Sequence, residues 1–117
     1  MRFQKIWGET QEIHPCVWLM IIKEGGFSSD HKHDDMVNKF VLVSGKLKIV
    51  SKPLDSGKEV ETVLTKLGDS VAVPPGVLHR FECIEQAVCV ESYFPYEPGY
   101  DISRNNVGGI NEDNTSV

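Results

Sequence analysis

The sequence predicts an all-β fold, an antiparallel sandwich or barrel, on three observations. Short runs alternate apolar and polar residues with a period of two. Turn residues separate those runs at near-regular intervals. No window of eleven or more residues carries capped helical spacing.

Each element has its own reason. Residues 17–23, 38–43, 70–73 and 87–94 are rich in β-branched and aromatic residues, which suit a pleated, half-buried surface. Lys46-Leu47-Lys48-Ile49 and Arg80-Phe81-Glu82-Cys83 alternate strictly, charge out and apolar in, and residues 59–64 read similarly. Gly45 is expected to join two strands as a hairpin, and Asp55-Ser56-Gly57 to join two more. Gly25-Gly26, Gly68-Asp69 and Pro74-Pro75-Gly76 mark further turns.

A chain of 117 residues with 40% hydrophobic and 25% charged residues has the makeup of one globular domain. We expect residues 1–110 to form it, beginning with an N-terminal strand region, and residues 111–117 to be a polar tail. The net charge of -5 repels phosphate backbones, so nucleic acid is not an expected partner. The longest apolar run, residues 16–22, is far short of the ~20 residues a membrane-spanning helix needs, so a membrane is not expected either. Cys16, Cys83 and Cys89 cannot all pair with one another, and none lies in a C-x-x-C. Reduced thiols and a cytoplasmic location are the expectation.

Two of the four histidines form His31-Lys32-His33. In an extended strand, residues i and i+2 share a face and are close enough to share one ion. Alone the pair is equally compatible with a polar loop, which Asp30, Asp34 and Asp35 around it would suit. The surrounding spacing adds weight. Gly25, His31, His33, Asn38 and Gly45 form one block, and Gly68, Pro74, Gly76 and His79 a second. In these residues the chain resembles the cupin superfamily, whose motifs run Gly-x5-His-x-His-x3/4-Glu-x6-Gly and Gly-x5-Pro-x-Gly-x2-His-x3-Asn. The resemblance spans about residues 17–94. It departs at Asn38, where the family has its acid ligand, and at Cys83, where the second motif ends in Asn.

The resemblance implies a small single-domain cupin, a double-stranded β-helix (jelly-roll) barrel. In it His31, His33 and His79 converge on one divalent transition metal ion, with Asn38 as the fourth candidate ligand. Neutral imidazoles suit Mn, Fe, Ni, Cu or Zn and do not choose among them. With asparagine in place of a carboxylate the ligand set leaves a charge of +2, which an anionic substrate would meet. The alternative is a binder whose metal affinity has decayed. Asn38 either coordinates the ion or hydrogen-bonds a metal-bound water.

If Asn38 points inward, so do Phe40 and Leu42, and with Phe81 and Cys83 these are the expected pocket-lining residues. Cys83 is read as a core filler, with a redox role or one beside the metal as the alternative. Val41 and Val43 then face outward, and the resemblance implies a homodimer through a sheet face. On the last strand Glu91 and Tyr93 share a face. If it lines the pocket, a partly buried Glu91 can act as general acid/base with Tyr93 as hydrogen-bond donor; otherwise Glu91 is an exposed strand acid. Arg80 and Glu82 are expected as a solvated pair, Lys32 as surface charge, His14 as a structural or surface histidine, and Trp7 and Trp18 as core or dimer anchors.

Three functions follow. The first is a metal-dependent enzyme for a small oxygenated anion, a sugar acid or a hydroxy/oxo acid, using Lewis-acid and proton-transfer chemistry of isomerase or lyase type. The second is an Fe(II)-dependent dioxygenase. The third is a non-catalytic small-molecule-binding module.

Overall fold

The computed structural model describes residues 1–53 and 57–95. Among these it contains seven strands and no helix: β1 (Arg2–Lys5), β2 (Gly8–His14), β3 (Val17–Ile22), β4 (Met36–Lys52), β5 (Val60–Leu64), β6 (Ser70–Val73) and β7 (Leu78–Pro95). Every pairing is antiparallel, in the order β1-β2-β3-β7-β4-β5, with β6 on β4. The all-β expectation holds, and the sheet is wound as a jelly-roll barrel.

Two strands are longer than the sequence reading divides them. Residues 38–43 and 46–49 are not two strands around a Gly45 hairpin. They are halves of β4, which pairs with β7 from Met36↔Pro95 to Lys52↔Leu78. Likewise residues 80–83 and 87–94 are halves of β7. The register slips between Leu42 and Leu47, so Gly45 sits in a β-bulge. Hairpins and bulges both recruit glycine at positive φ, which is why the local pattern does not separate them. Gly45 has φ +85°, and a Cβ there would lie 2.0 Å from the Gln86 carbonyl oxygen. Gly45→Ala is therefore expected to lower unfolding free energy by at least about 1–2 kcal/mol, read from a urea midpoint at unchanged slope.

The bulge folds the sheet over on itself. On one side of it, β7 and β4 carry β3 and β6; on the other, they carry β5 and the segment from Gly25 to His31. The two sides face each other across a core that includes Met20, Ile22, Phe40 and Leu42 from the first and Leu47, Ile49, Phe81 and Cys83 from the second. Cys83 is thus the core filler it was read as, and the nearest acceptor to its thiol is the Glu85 carbonyl, 3.0 Å away. Phe40, Leu42, Leu47 and Ile49 are 0–1% exposed. Burial of one such side chain contributes about 1.5–3 kcal/mol.

The β1–β2 hairpin occupies the expected N-terminal strand region, where the sequence reading delimits no individual strand. All of β1 is exposed, so Arg2–Lys5 has no apolar alternation strong enough to announce it. The expected turn residues Asp55 and Ser56, and the expected boundary at 110/111, lie outside the described residues. The strands flanking that turn do pair, Ser51 with Val60. No helix of the described residues is long and apolar enough to cross a membrane.

Candidate metal centre

The three expected histidines come together because the segment before β4 runs along the free edge of β7. Gly25 N–H donates to the Cys83 carbonyl (2.9 Å) and Ser28 N–H to that of Phe81 (3.1 Å). His31 and His79 then exchange a reciprocal pair of backbone hydrogen bonds, both 2.9 Å. The five residues between Gly25 and His31 are what bring that histidine level with His79. Gly76 N–H donates to the His33 carbonyl (2.7 Å), which anchors the second histidine. Outside the barrel, Arg80 ties this segment down through Asp30 (3.2 Å) while also pairing with Glu82 (2.8 Å) and Glu59 (2.6 Å). Arg80 and Glu82 are therefore part of a network of acids and bases rather than an isolated pair.

The rings converge. Their centroids lie 4.5 Å apart for His31 and His79, 5.3 Å for His31 and His33, and 5.7 Å for His33 and His79. One ring nitrogen from each falls within 4.8 Å of the others. Nδ1 of His31 lies 2.9 Å from the Ser29 carbonyl, and Nδ1 of His79 lies 2.9 Å from that of Val77. A carbonyl only accepts, so Nδ1 carries the proton in both rings and Nε2 presents a lone pair. Desolvation holds the pKa of His33 and of His79 below the ordinary value, helped by repulsion among the three rings. The neutral, ligating form is thus favoured.

Two observations test whether these residues fit a cation. Nε2 of His33 is buried and has no hydrogen-bond partner; such orphans are rare in folded proteins. Nε2 of His79 lies 2.8 Å from Oδ1 of Asn38, while Nδ2 of Asn38 donates to the Ser92 carbonyl and to Glu91, both at 3.3 Å. The Ser92 carbonyl fixes the amide orientation and the Val77 carbonyl fixes the ring tautomer. Two lone pairs are then left facing each other. Neighbouring ligands of an ion with bonds of about 2.1 Å stand about 3 Å apart, close to this spacing. The donor set fits a divalent cation, with Asn38 on the ligand side of the site.

Beside it lie Glu91 and Tyr93, the pair expected to transfer a proton. On β7, Cys89, Glu91 and Tyr93 point inward and Val88, Val90 and Ser92 outward. Glu91 is 8% exposed. Desolvation pushes its carboxyl pKa up, against opposing hydrogen bonds from Tyr93 and Asn38. The Tyr93 hydroxyl pKa is pushed up by burial and by Glu91 itself, and its ring lies 4.8 Å from that of His33. Cys89, deeper in the core, has its thiol pKa pushed up to about 12 by burial and is inert as a nucleophile.

His31, Glu91 and Tyr93 open into a cavity of about 380 Å³. Of the expected lining residues, Phe81 lines it. Phe40, Leu42 and Cys83 do not; they are buried in the core, Phe40 with its ring 6.1 Å from that of His79. Alternation along β4 correctly turns them inward, but inward positions below the histidines meet the opposite sheet rather than open space. Trp7 and Trp18, expected as anchors, both line the cavity, Trp7 while also packing on the core. The sequence reading also misses Phe3 and Lys5 of β1. The register Phe3↔Thr10 and Lys5↔Gly8 puts them on the cavity face, and only strand pairing reveals that. His14 is exposed, as expected, and Lys32 pairs loosely with Asp34 at 3.9 Å on the surface.

The jelly-roll barrel and the inward histidine cluster together define a protein of cupin fold with a candidate metal centre. Solved structures bear out the fold. The CENP-C cupin domain of Drosophila melanogaster superposes with a TM-score of 0.69 at 15% identity, covering 80% of this chain and 74% of that one. The capsular polysaccharide assembling protein CapF of Staphylococcus aureus gives 0.67 at 24% identity, covering 80% of this chain and 29% of that one. An oxalate oxidase gives 0.60 at 23% identity, covering 71% and 43%. The chain thus spans under a third of CapF and under half of the oxalate oxidase. No family model matches the sequence, and no curated protein matches it.

Proposed function

We propose that this chain is a metal-dependent cupin enzyme acting on a small oxygenated anion, a sugar acid or a hydroxy/oxo acid, by proton transfer of isomerase or lyase type. The observation that carries the reading is the orphaned Nε2 of His33, set among two other imidazoles and next to a buried carboxyl group. A divalent ion held by His31, His33, His79 and Asn38 would supply Lewis-acid polarisation of a substrate oxygen. Glu91 then takes or returns a proton at the adjacent carbon, and Tyr93 holds Glu91 in place through its hydroxyl. Support of a coarser kind comes from fold neighbours solved with oxygen-bearing small molecules: oxalate oxidase with glycolate and CapF with the inhibitor 3-isopropenyl-tropolone.

The test is hydrogen–deuterium exchange at carbon next to the carboxyl or carbonyl group, followed by proton NMR in D2O with pyruvate and glucuronate. Metal-dependent exchange is the expected result. Oxygen consumption with iron alone would move the assignment to a dioxygenase. Binding with neither activity would make the chain a binding module.

The same proposal has the protein act as a homodimer in the cytoplasm. The outer face of β3, β7 and β4 carries Leu19, Ile21, Val41, Val43, Val88 and Val90 side by side, an apolar patch that a second copy would cover. Light scattering is expected to read twice the 13.1 kDa of one chain, and Val90→Lys to return the mass to that of the monomer. All three cysteines are unpaired, as a reducing compartment would keep them.

A further inference from the structure

We infer that the cavity over the candidate metal centre takes an acid built on a flat apolar ring, such as an aromatic hydroxy acid, in preference to a polyhydroxylated sugar acid. The inference rests on the reading of the site above and chooses within its substrate class.

The walls carry the argument. Among the described residues, the apolar lining consists of Phe3, Trp7, Trp18, Met20, Phe81 and Tyr93, five of them aromatic. The rings brace one another. Trp7 stands edge-on to Phe81 at 5.0 Å, and Phe3 lies against Trp18 at 5.9 Å. Braced rings present fixed faces, which offer a planar guest stacking and edge contacts at little entropic cost.

Polar valences are few. Ser28 Oγ already accepts from Phe81 N–H (3.0 Å), and Tyr93 is engaged with Glu91. Thr10 of β2 lines the cavity but is only 9% exposed. A sugar acid would bring four or five hydroxyl groups to walls whose unengaged hydroxyl partners, among the described residues, are those of Thr10, Ser28 through its O–H, and Ser29, and each hydroxyl buried without a partner weakens binding about tenfold or more. A ring acid carries its oxygens at one edge. That edge can face His31, the candidate ligand that lines the cavity, while the ring fills the aromatic space. Lys5 lines the same cavity and is its only lysine or arginine among the described residues, a counter-charge for the carboxylate. The cavity volume of about 380 Å³ suits a one- or two-ring guest.

Both tryptophans of the chain line this cavity, so two indole N–H signals in a 1H–15N spectrum report on it directly. The experiment compares salicylate and 3-hydroxy-2-naphthoate with gluconate and glucuronate, by calorimetry, on zinc-loaded and zinc-free protein. Zinc uptake is measured first. The ring acids are expected to bind at least about tenfold tighter than the sugar acids and to shift both indole signals. Trp18→Ala is expected to erase most of that preference. Lys5→Gln, on an exposed strand and so no threat to folding, is expected to weaken the ring acids several-fold while leaving neutral salicylamide unchanged. Sugar acids binding as tightly as ring acids, or ring acids that leave both indoles unmoved, would overturn the inference. Failure of zinc to bind would sink the metal reading instead. The ring preference would still be decided on the zinc-free chain, where the aromatic walls and Lys5 remain.

Discussion

His33→Ala is expected to weaken binding of a divalent transition metal by more than about 100-fold, the upper end of what losing a mere supporting partner costs, while leaving the metal-free fold as stable as before. The reason is the orphaned Nε2: the side chain makes no hydrogen bond through that atom, so its removal strips the ion of a ligand and the protein of nothing comparable. Protein purified without chelator should hold about one equivalent of metal, and the variant little. His79→Ala should lose the metal equally. It should also lose stability, because that ring is 1% exposed and bonded to Val77. Acidity adds a second reading. Burial lowers both imidazole pKa values in the fold, so the unfolded chain binds protons first as pH falls below about 6.5. Metal-free stability should therefore drop with acid from that point through the lowered native values. His33→Ala should flatten part of that slope. Unchanged metal content in both variants would remove the site.

Glu91→Gln is expected to slow metal-dependent proton exchange by about 10²–10⁴-fold, the usual worth of a placed acid or base, with metal content unchanged. Glutamine keeps the shape and can still accept from Asn38, so only the titrating group is lost. Desolvation holds the native Glu91 pKa above its ordinary 4.5. Wild-type exchange should then climb with pH as the carboxylate forms through that raised value, and the variant should show no such limb. Stability supplies an independent sign. A carboxyl whose pKa is raised in the fold stabilises fully below the unfolded pKa and loses that contribution as pH rises through the folded one. Metal-free wild type should weaken over that interval, and Glu91→Gln should not. Exchange at the wild-type rate would return Glu91 to a structural role.

How much of this was legible beforehand differs by residue. The resemblance of the Gly25–Gly45 and Gly68–His79 blocks to the cupin motifs singled out His31, His33 and His79, and the fold does bring these three together; a period of two by itself relates only His31 to His33. The same count put Glu91 and Tyr93 on one face of the last strand but left open whether that face turns inward, which the fold decided. It failed where local patterns are degenerate. Gly45 reads alike as a hairpin or a bulge, and Phe40 and Leu42 read alike as core or pocket. It failed again where the site draws on a strand with no pattern of its own, as for Phe3 and Lys5 of β1.

By itself, then, the sequence determined the chemical types of the site residues and which of them share a strand face: three imidazoles, an amide, and a carboxyl beside a phenol. Tertiary structure alone decided the rest. The bulge at Gly45 sets one half of β4 against the first half of β7, bringing Asn38 to within 2.8 Å of His79, 41 residues away. Strand pairing carries Phe3 and Lys5, and the turn after β1 carries Trp7, into the cavity wall. Alternation is a property of one strand and can be read along it. Distance between strands depends on register and on where the sheet bends, and those are set by packing summed over the whole barrel.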